Sequence, residues 1–160
     1  MSYDRDQARF LRQAIGLARE NVENGTGGPF GAVVVRNGEV VATGTNLVTA
    51  SDDPTAHAEV VAIRNACEVL GTFQLGDCEI YCSCEPCPMC LGAIYWARPA
   101  RVVFASTAHD AADAGFDDSF IYDEIRRPRD RRRLPLEQLR VPEAGDEFTA
   151  WLDSEDRVEY

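Results

Sequence analysis

Hydrophobic and polar positions recur with a helical rhythm over residues 5–24, where Leu11, Ile15, Ala18 and Val22 fall at spacings of three or four. That spacing predicts an amphipathic helix with these residues on its inner face, ended by Gly25, Gly27, Gly28 and Pro29. The rhythm then changes. Residues 30–36 read as a strand, Asn37-Gly38 is a tight hairpin dipeptide, and Glu39 to Gly44 returns as a second strand. A polar loop spans Thr45 to Asp53. Pro54 and Thr55 open a helix that runs to about Leu70, with Val60, Ile63, Cys67 and Leu70 as its buried stripe. Glu79 to Ser83 is a third strand, Cys87 to Ala97 a short helix introduced by Pro86, and Arg101 to Ala105 a fourth strand. Past Thr107 the pattern predicts a loop to Gly115, a short helix over Asp118 to Ile125, and a fifth strand around Leu134 to Val141.

A hairpin followed by alternating helices and strands predicts an α/β layered fold around a mixed sheet of five strands. The chain has 160 residues, 45% of them hydrophobic, which is enough for one core and one domain. There is no internal repeat, and residues 142–160 read as a tail to the single domain 1–160. No apolar stretch approaches the roughly 20 residues of a membrane helix, and the opening residues lack a basic-then-apolar export pattern, so a cytoplasmic location is expected.

Charge narrows the partners. The net charge is −11, and all 16 basic residues are arginine. A protein that grips phosphates needs a basic face, so nucleic acid is an unfavoured partner and a small molecule is expected. The one basic run, Arg126, Arg127, Arg129, Arg131, Arg132 and Arg133, has no interleaved aromatics for base stacking. It reads as an exposed turn paired with acidic surface rather than as an RNA contact.

Of six cysteines, Cys78, Cys82, Cys84, Cys87 and Cys90 are bunched within one short segment, and Cys67 lies upstream. Bunching favours metal or catalytic use over a disulfide framework. Cys67, Cys78 and Cys82 fall at core positions. A ferredoxin-type reading of Cys84, Cys87 and Cys90 fails because Ala93 stands about where a fourth cysteine is required. A redox reading of either cysteine pair leaves His57 and Glu59 unexplained. The remaining pattern is His57-Ala58-Glu59 with Pro86-Cys87-Pro88-Met89-Cys90, each at a helix start. Imidazole and two thiolates suit borderline-soft Zn²⁺, and the exposed N–H groups of a helix start favour thiolate. Three protein donors leave one position open, as catalytic zinc sites do, and an ion there lowers the pKa of its water towards about 7. Glu59, two residues from His57, would sit beside that water as the proton carrier.

With those motifs the chain resembles the cytidine deaminase superfamily and is most similar to its bacterial guanine deaminase branch. The resemblance rests on residues 27–33, 53–59 and 83–99, and for the guanine branch on residues 114–122 and Tyr160. It implies a three-layer α/β/α sandwich and one Zn²⁺ per subunit held by His57, Cys87 and Cys90, with Glu59 moving protons. By position it further implies Asn46 hydrogen-bonding the base, Phe30 packing on its ring with Trp96 near, and the Ala58 backbone meeting the ring. Asp118 would read the guanine edge or shuttle a proton. The implied reaction is deamination of guanine at C2 to xanthine and ammonia, in a homodimer whose C-terminal segments are exchanged so that Tyr160 closes the partner's site. Asn46 capping a turn, Phe30 as core, and Asp117 or Asp118 capping a helix are the structural alternatives. Guanosine, cytosine or an aminotriazine, and less favourably tRNA adenosine, are the alternative substrates. A non-catalytic zinc or redox module is the alternative class. The sequence departs from the branch in the tail, where residues 143–160 hold seven acidic side chains against Arg157 alone. His109 reads as a solvated loop residue.

Overall fold

The computed structural model describes residues 5–160. The chain divides into two compact units, one ending at Asp118 and one spanning Ser119–Tyr160.

In the first unit, α1 (Arg5–Glu23) leads into the hairpin β1 (Gly31–Arg36) and β2 (Glu39–Thr45), whose turn residues Asn37 and Gly38 both take positive φ, 54° and 78°. There follow α2 (Val48–Ser51), α3 (Ala58–Leu70), β3 (Cys78–Cys84), α4 (Pro88–Ala97), β4 (Arg101–Ser106) and α5 (Ala108–Asp113). The four strands lie in the order β2-β1-β3-β4. β1 is antiparallel to both neighbours, and β3 and β4 are parallel, joined by the α4 crossover.

Strand periodicity sorts β1 and β3 between two layers. Val33, Val35 and Tyr81 pack with Phe10 and Ala14 of α1. Ala32, Val34, Ile80 and Cys82 pack with Ala58, Ala62 and Ala66 of α3 and Ile94 and Ala97 of α4. The result is the expected α/β/α sandwich with a mixed sheet. α3 lies unusually close to β2: a Cβ on Gly44 would stand 2.2 Å from the Ala58 carbonyl oxygen and 2.5 Å from the Ala62 nitrogen. Only glycine on the strand and alanines on the helix permit that approach.

The structure corrects several expectations. The inner face of α1 is Phe10, Ala14, Ala18 and Asn21, while Ile15 and Val22 are exposed. The stripe is rotated by about one residue, and a polar residue completes it. Likewise α3 buries Ala58, Glu59, Ala62 and Ala66, with Ile63, Cys67 and Leu70 only flanking. Pro54 and Thr55 do not begin α3, because Asp53 Oδ1 accepts bonds from the Thr55 N–H (2.8 Å) and hydroxyl (2.7 Å) in a local turn. The loop after β2 holds the single turn α2, and the loop after Thr107 holds α5, where Thr107 and Asp110 cap each other reciprocally.

The second unit contains α6 (Ser119–Arg126), a 3₁₀ turn (Arg129–Arg131) and α7 (Asp146–Asp153). The expected fifth strand is absent: residues 135–141 have no regular structure. Pro135 removes a ladder donor, and a strand without a paired neighbour has no other source of backbone bonds. The arginine run is engaged locally. Arg126 pairs with Asp123, Arg127 and Arg133 with Glu124, and Arg132 donates to the Ile125 and Arg127 carbonyls. No described helix is long and apolar enough to cross a membrane.

Candidate active site

Two helix starts meet at the end of the sheet. His57 is the N-cap of α3 and Cys87 the N-cap of α4, both in extended conformation, so each side chain projects beyond its helix. Pro88 occupies the first position of α4, where its missing N–H costs nothing. His57 Nδ1 lies 3.5 Å from Cys87 Sγ and 3.4 Å from Cys90 Sγ, and all three donor atoms lie within 4.8 Å of one another.

This donor set fits zinc. Tetrahedral bonding with Zn–N about 2.0–2.1 Å and Zn–S about 2.3 Å separates nitrogen and sulfur by roughly 3.5 Å, the spacing seen here. The sulfurs also titrate against each other. The hydrogen bond from the Cys90 thiol, ahead of those from His57 and from the Cys90 N–H, holds Cys87 down to about 4. The same bond, with burial, drives the Cys90 thiol up. A divalent cation removes that conflict by allowing both sulfurs to ionise.

Glu59, the second residue of α3, is buried against the cluster, and Cys90 Sγ donates to its Oε2 at 3.4 Å. Burial pushes its carboxyl up from the ordinary range. Asp118 is half-buried, and its carboxyl is also raised, by burial first and then by the Cys87 charge. Ala58 is fully buried and opens α3.

Asn46 follows β2 and is 7% exposed. Its Oδ1 accepts from the Gly28 N–H (3.4 Å) and the Val48 N–H (3.3 Å), so the amide offers its Nδ2 hydrogens as donors. Phe30 meets Phe116 edge-on, with ring centroids 5.0 Å apart. Both rings also line an apolar groove of about 470 Å³ that α1 residues Ile15, Ala18 and Val22 help to form and whose lining does not include His57, Cys87 or Cys90. Trp96 stands exposed in the last turn of α4, and Tyr160 is exposed in the second unit. His109 is exposed on α5 beside Asp113. The Phe116 contact and the buried amide of Asn21 are not among the site features expected from the sequence. The signal for Asn21 was an amide on the inner face of a helix.

Comparison with known proteins defines the class. Residues 4–106 match the model of the cytidine and deoxycytidylate deaminase zinc-binding region, and the chain belongs to that family. Among individual relatives, it is 58% identical to a guanine deaminase of Bacillus subtilis over 94% of this chain and 97% of that protein. The X-ray structure of a guanine deaminase from B. subtilis superposes with a TM-score of 0.94 at 55% identity, covering 100% of this chain and 99% of the other. A tRNA-specific adenosine deaminase of Aquifex aeolicus is 38% identical over 86% of this chain and 87% of its own length.

Proposed function

We propose that the chain is a zinc-dependent hydrolytic deaminase that converts guanine to xanthine and ammonia. The observation that carries this reading is the buried Glu59 carboxyl against the His57, Cys87 and Cys90 donors, in a chain 58% identical to a guanine deaminase. His57, Cys87 and Cys90 would hold the zinc, which would supply Lewis-acid activation of water.

Glu59 is the proton carrier. It accepts one proton of the water as oxygen bonds to C2 and passes it to a ring nitrogen; it then takes the remaining proton from the C2 hydroxyl and gives it to the amine as C2=O forms, the C2–N bond breaks and ammonia leaves. Burial suits it to this duty, since a carboxyl raised towards neutrality both accepts and returns a proton. Asn46 donates from Nδ2 to an acceptor on the base, Phe30 supplies an apolar wall, and the Ala58 backbone lies at the ring. Asp118 reads the amino-bearing edge or shuttles its proton. Trp96 and Tyr160 complete the pocket in a homodimer with exchanged C-terminal segments, and the enzyme works in the cytoplasm. The exposed Phe148, Trp151 and Leu152 of α7 support the exchange, because an apolar helix face requires a cover.

The test is ammonia release from zinc-loaded protein offered guanine, guanosine, adenine, cytosine, cytidine or tRNA. Guanine is expected to turn over fastest. Glu59→Gln should lose about 10²- to 10⁴-fold in kcat while zinc content stays unchanged. Preference for another ring would overturn the substrate, and an active Glu59→Gln would overturn the mechanism.

A further inference from the structure

We infer that Asn21 is a positioning residue for base recognition, a single side-chain amide that sets the two segments carrying Asn46 and Phe30. The inference rests on the reading that these two residues meet the base.

Asn21 lies in the last turn of α1, at the place where the inner stripe of Phe10, Ala14 and Ala18 calls for another apolar residue. It is only 5% exposed. Burying an amide is unfavourable unless its hydrogens are used, and both are. Its Nδ2 donates to the Gly28 carbonyl at 2.9 Å and to the Asn46 carbonyl at 2.8 Å. The Gly28 carbonyl also accepts from the Phe30 N–H at 2.9 Å, and the Phe30 carbonyl accepts from the Asn46 N–H at 3.2 Å. The Gly28 N–H in turn holds Asn46 Oδ1. Asn21 therefore closes a ring of hydrogen bonds through Gly28, Phe30 and Asn46.

The packing leaves that ring no slack. A Cβ on Gly27 would stand 2.2 Å from the Asn46 carbonyl oxygen and 3.1 Å from Asn21 Nδ2. The Asn21 carbonyl also accepts from the N–H groups of Thr26 (3.0 Å) and Gly27 (3.4 Å), so the glycine loop hangs from this one residue. Asn21 touches none of the zinc donors. Its effect passes through the orientation of Asn46, whose oxygen is committed to the backbone and whose nitrogen is left for the substrate.

The experiment is a double-mutant cycle on zinc-loaded enzyme. Asn21→Asp keeps the shape and replaces the two donors by a carboxylate facing two carbonyls. It is expected to raise KM for guanine about tenfold or more, with kcat changed less and zinc content unchanged. In an Asn46→Ala background the same change should cost less than about threefold. Should the buried carboxylate prevent folding, Asn21→Ala runs through the same cycle with the same criterion. A full Asn21 effect that persists beside Asn46→Ala, or a loss confined to kcat or zinc, would overturn the positioning role alone. Asn46→Ala with unaltered kinetics would overturn the base-contact reading and this inference with it.

Discussion

The two units of this chain treat their apolar residues in opposite ways. The first buries Val33, Val34, Val35, Ile80 and Tyr81 almost completely between two helical layers. The second, all of it described, buries no residue, although it carries Phe120, Ile125, Leu136, Phe148, Trp151, Leu152 and Val158. A stretch of 42 residues is too short to build a sizeable core, so its large side chains stay exposed unless another chain covers them. The difference separates two kinds of sequence information: one unit encodes its own packing, and the other leaves its large apolar side chains on the surface.

Four substitutions sharpen or break that contrast. The largest effect is expected for Cys90→Ala, which removes a donor at the heart of the first unit. Zinc should be lost and turnover should fall below detection, by metal analysis and ammonia assay. Retained metal would place the ion elsewhere. Next is Gly44→Ala. Its methyl would meet helix backbone, which cannot rotate away, so the layers must part at about 3 kcal/mol, or roughly 10 °C in Tm by calorimetry. Third is Trp151→Asp in the second unit. If the proposed homodimer covers this helix, the change should weaken association about tenfold or more in sedimentation equilibrium, as truncating a buried interface tryptophan does. An unchanged dimer would mean that no partner covers this helix.

The smallest effect concerns pH. Tyr81, buried and bonded to Glu79, is pushed up to about 12 by burial first and by that bond second. The folded chain thus holds this proton more tightly than the unfolded one. The resulting stability is fully present below pH 10 and is lost as pH rises from 10 towards 12. Tyr81→Phe should flatten that loss and remove one late step from the phenolate absorbance titration.

Legibility followed the same division. The hairpin, α3, β3 and α4 were readable because Asn37-Gly38, Val33 to Val35 and the Pro86-Cys87 start are local signals that the core reinforces. That His57, Glu59, Cys87 and Cys90 come together was readable for the same reason, since each pair lies within one helix start. Helix faces were less so. α3 is dominated by its closeness to Gly44, which selects alanines as the innermost residues, and apolarity alone points to the bulkier Val60 and Ile63. The T-x-x-D pattern of Thr107 and Asp110 is the local signal for α5, but the helix is only six residues long and buries none of them, so no apolar stripe accompanies it. The strand expected around Leu134 to Val141 failed because alternation describes a face only when a neighbouring strand supplies the ladder.

The contact between β2 and α3 also bears on how this protein can be altered. Because strand and helix meet backbone to backbone at Gly44 and Ala58, the histidine cap is registered against the sheet by atoms common to every residue type. A library aimed at new substrates can therefore randomise the rings and amides proposed to meet the base and leave the metal in place. It cannot afford diversity at residues 44, 58 and 62, which act as the datum from which every other dimension of the catalytic centre is measured.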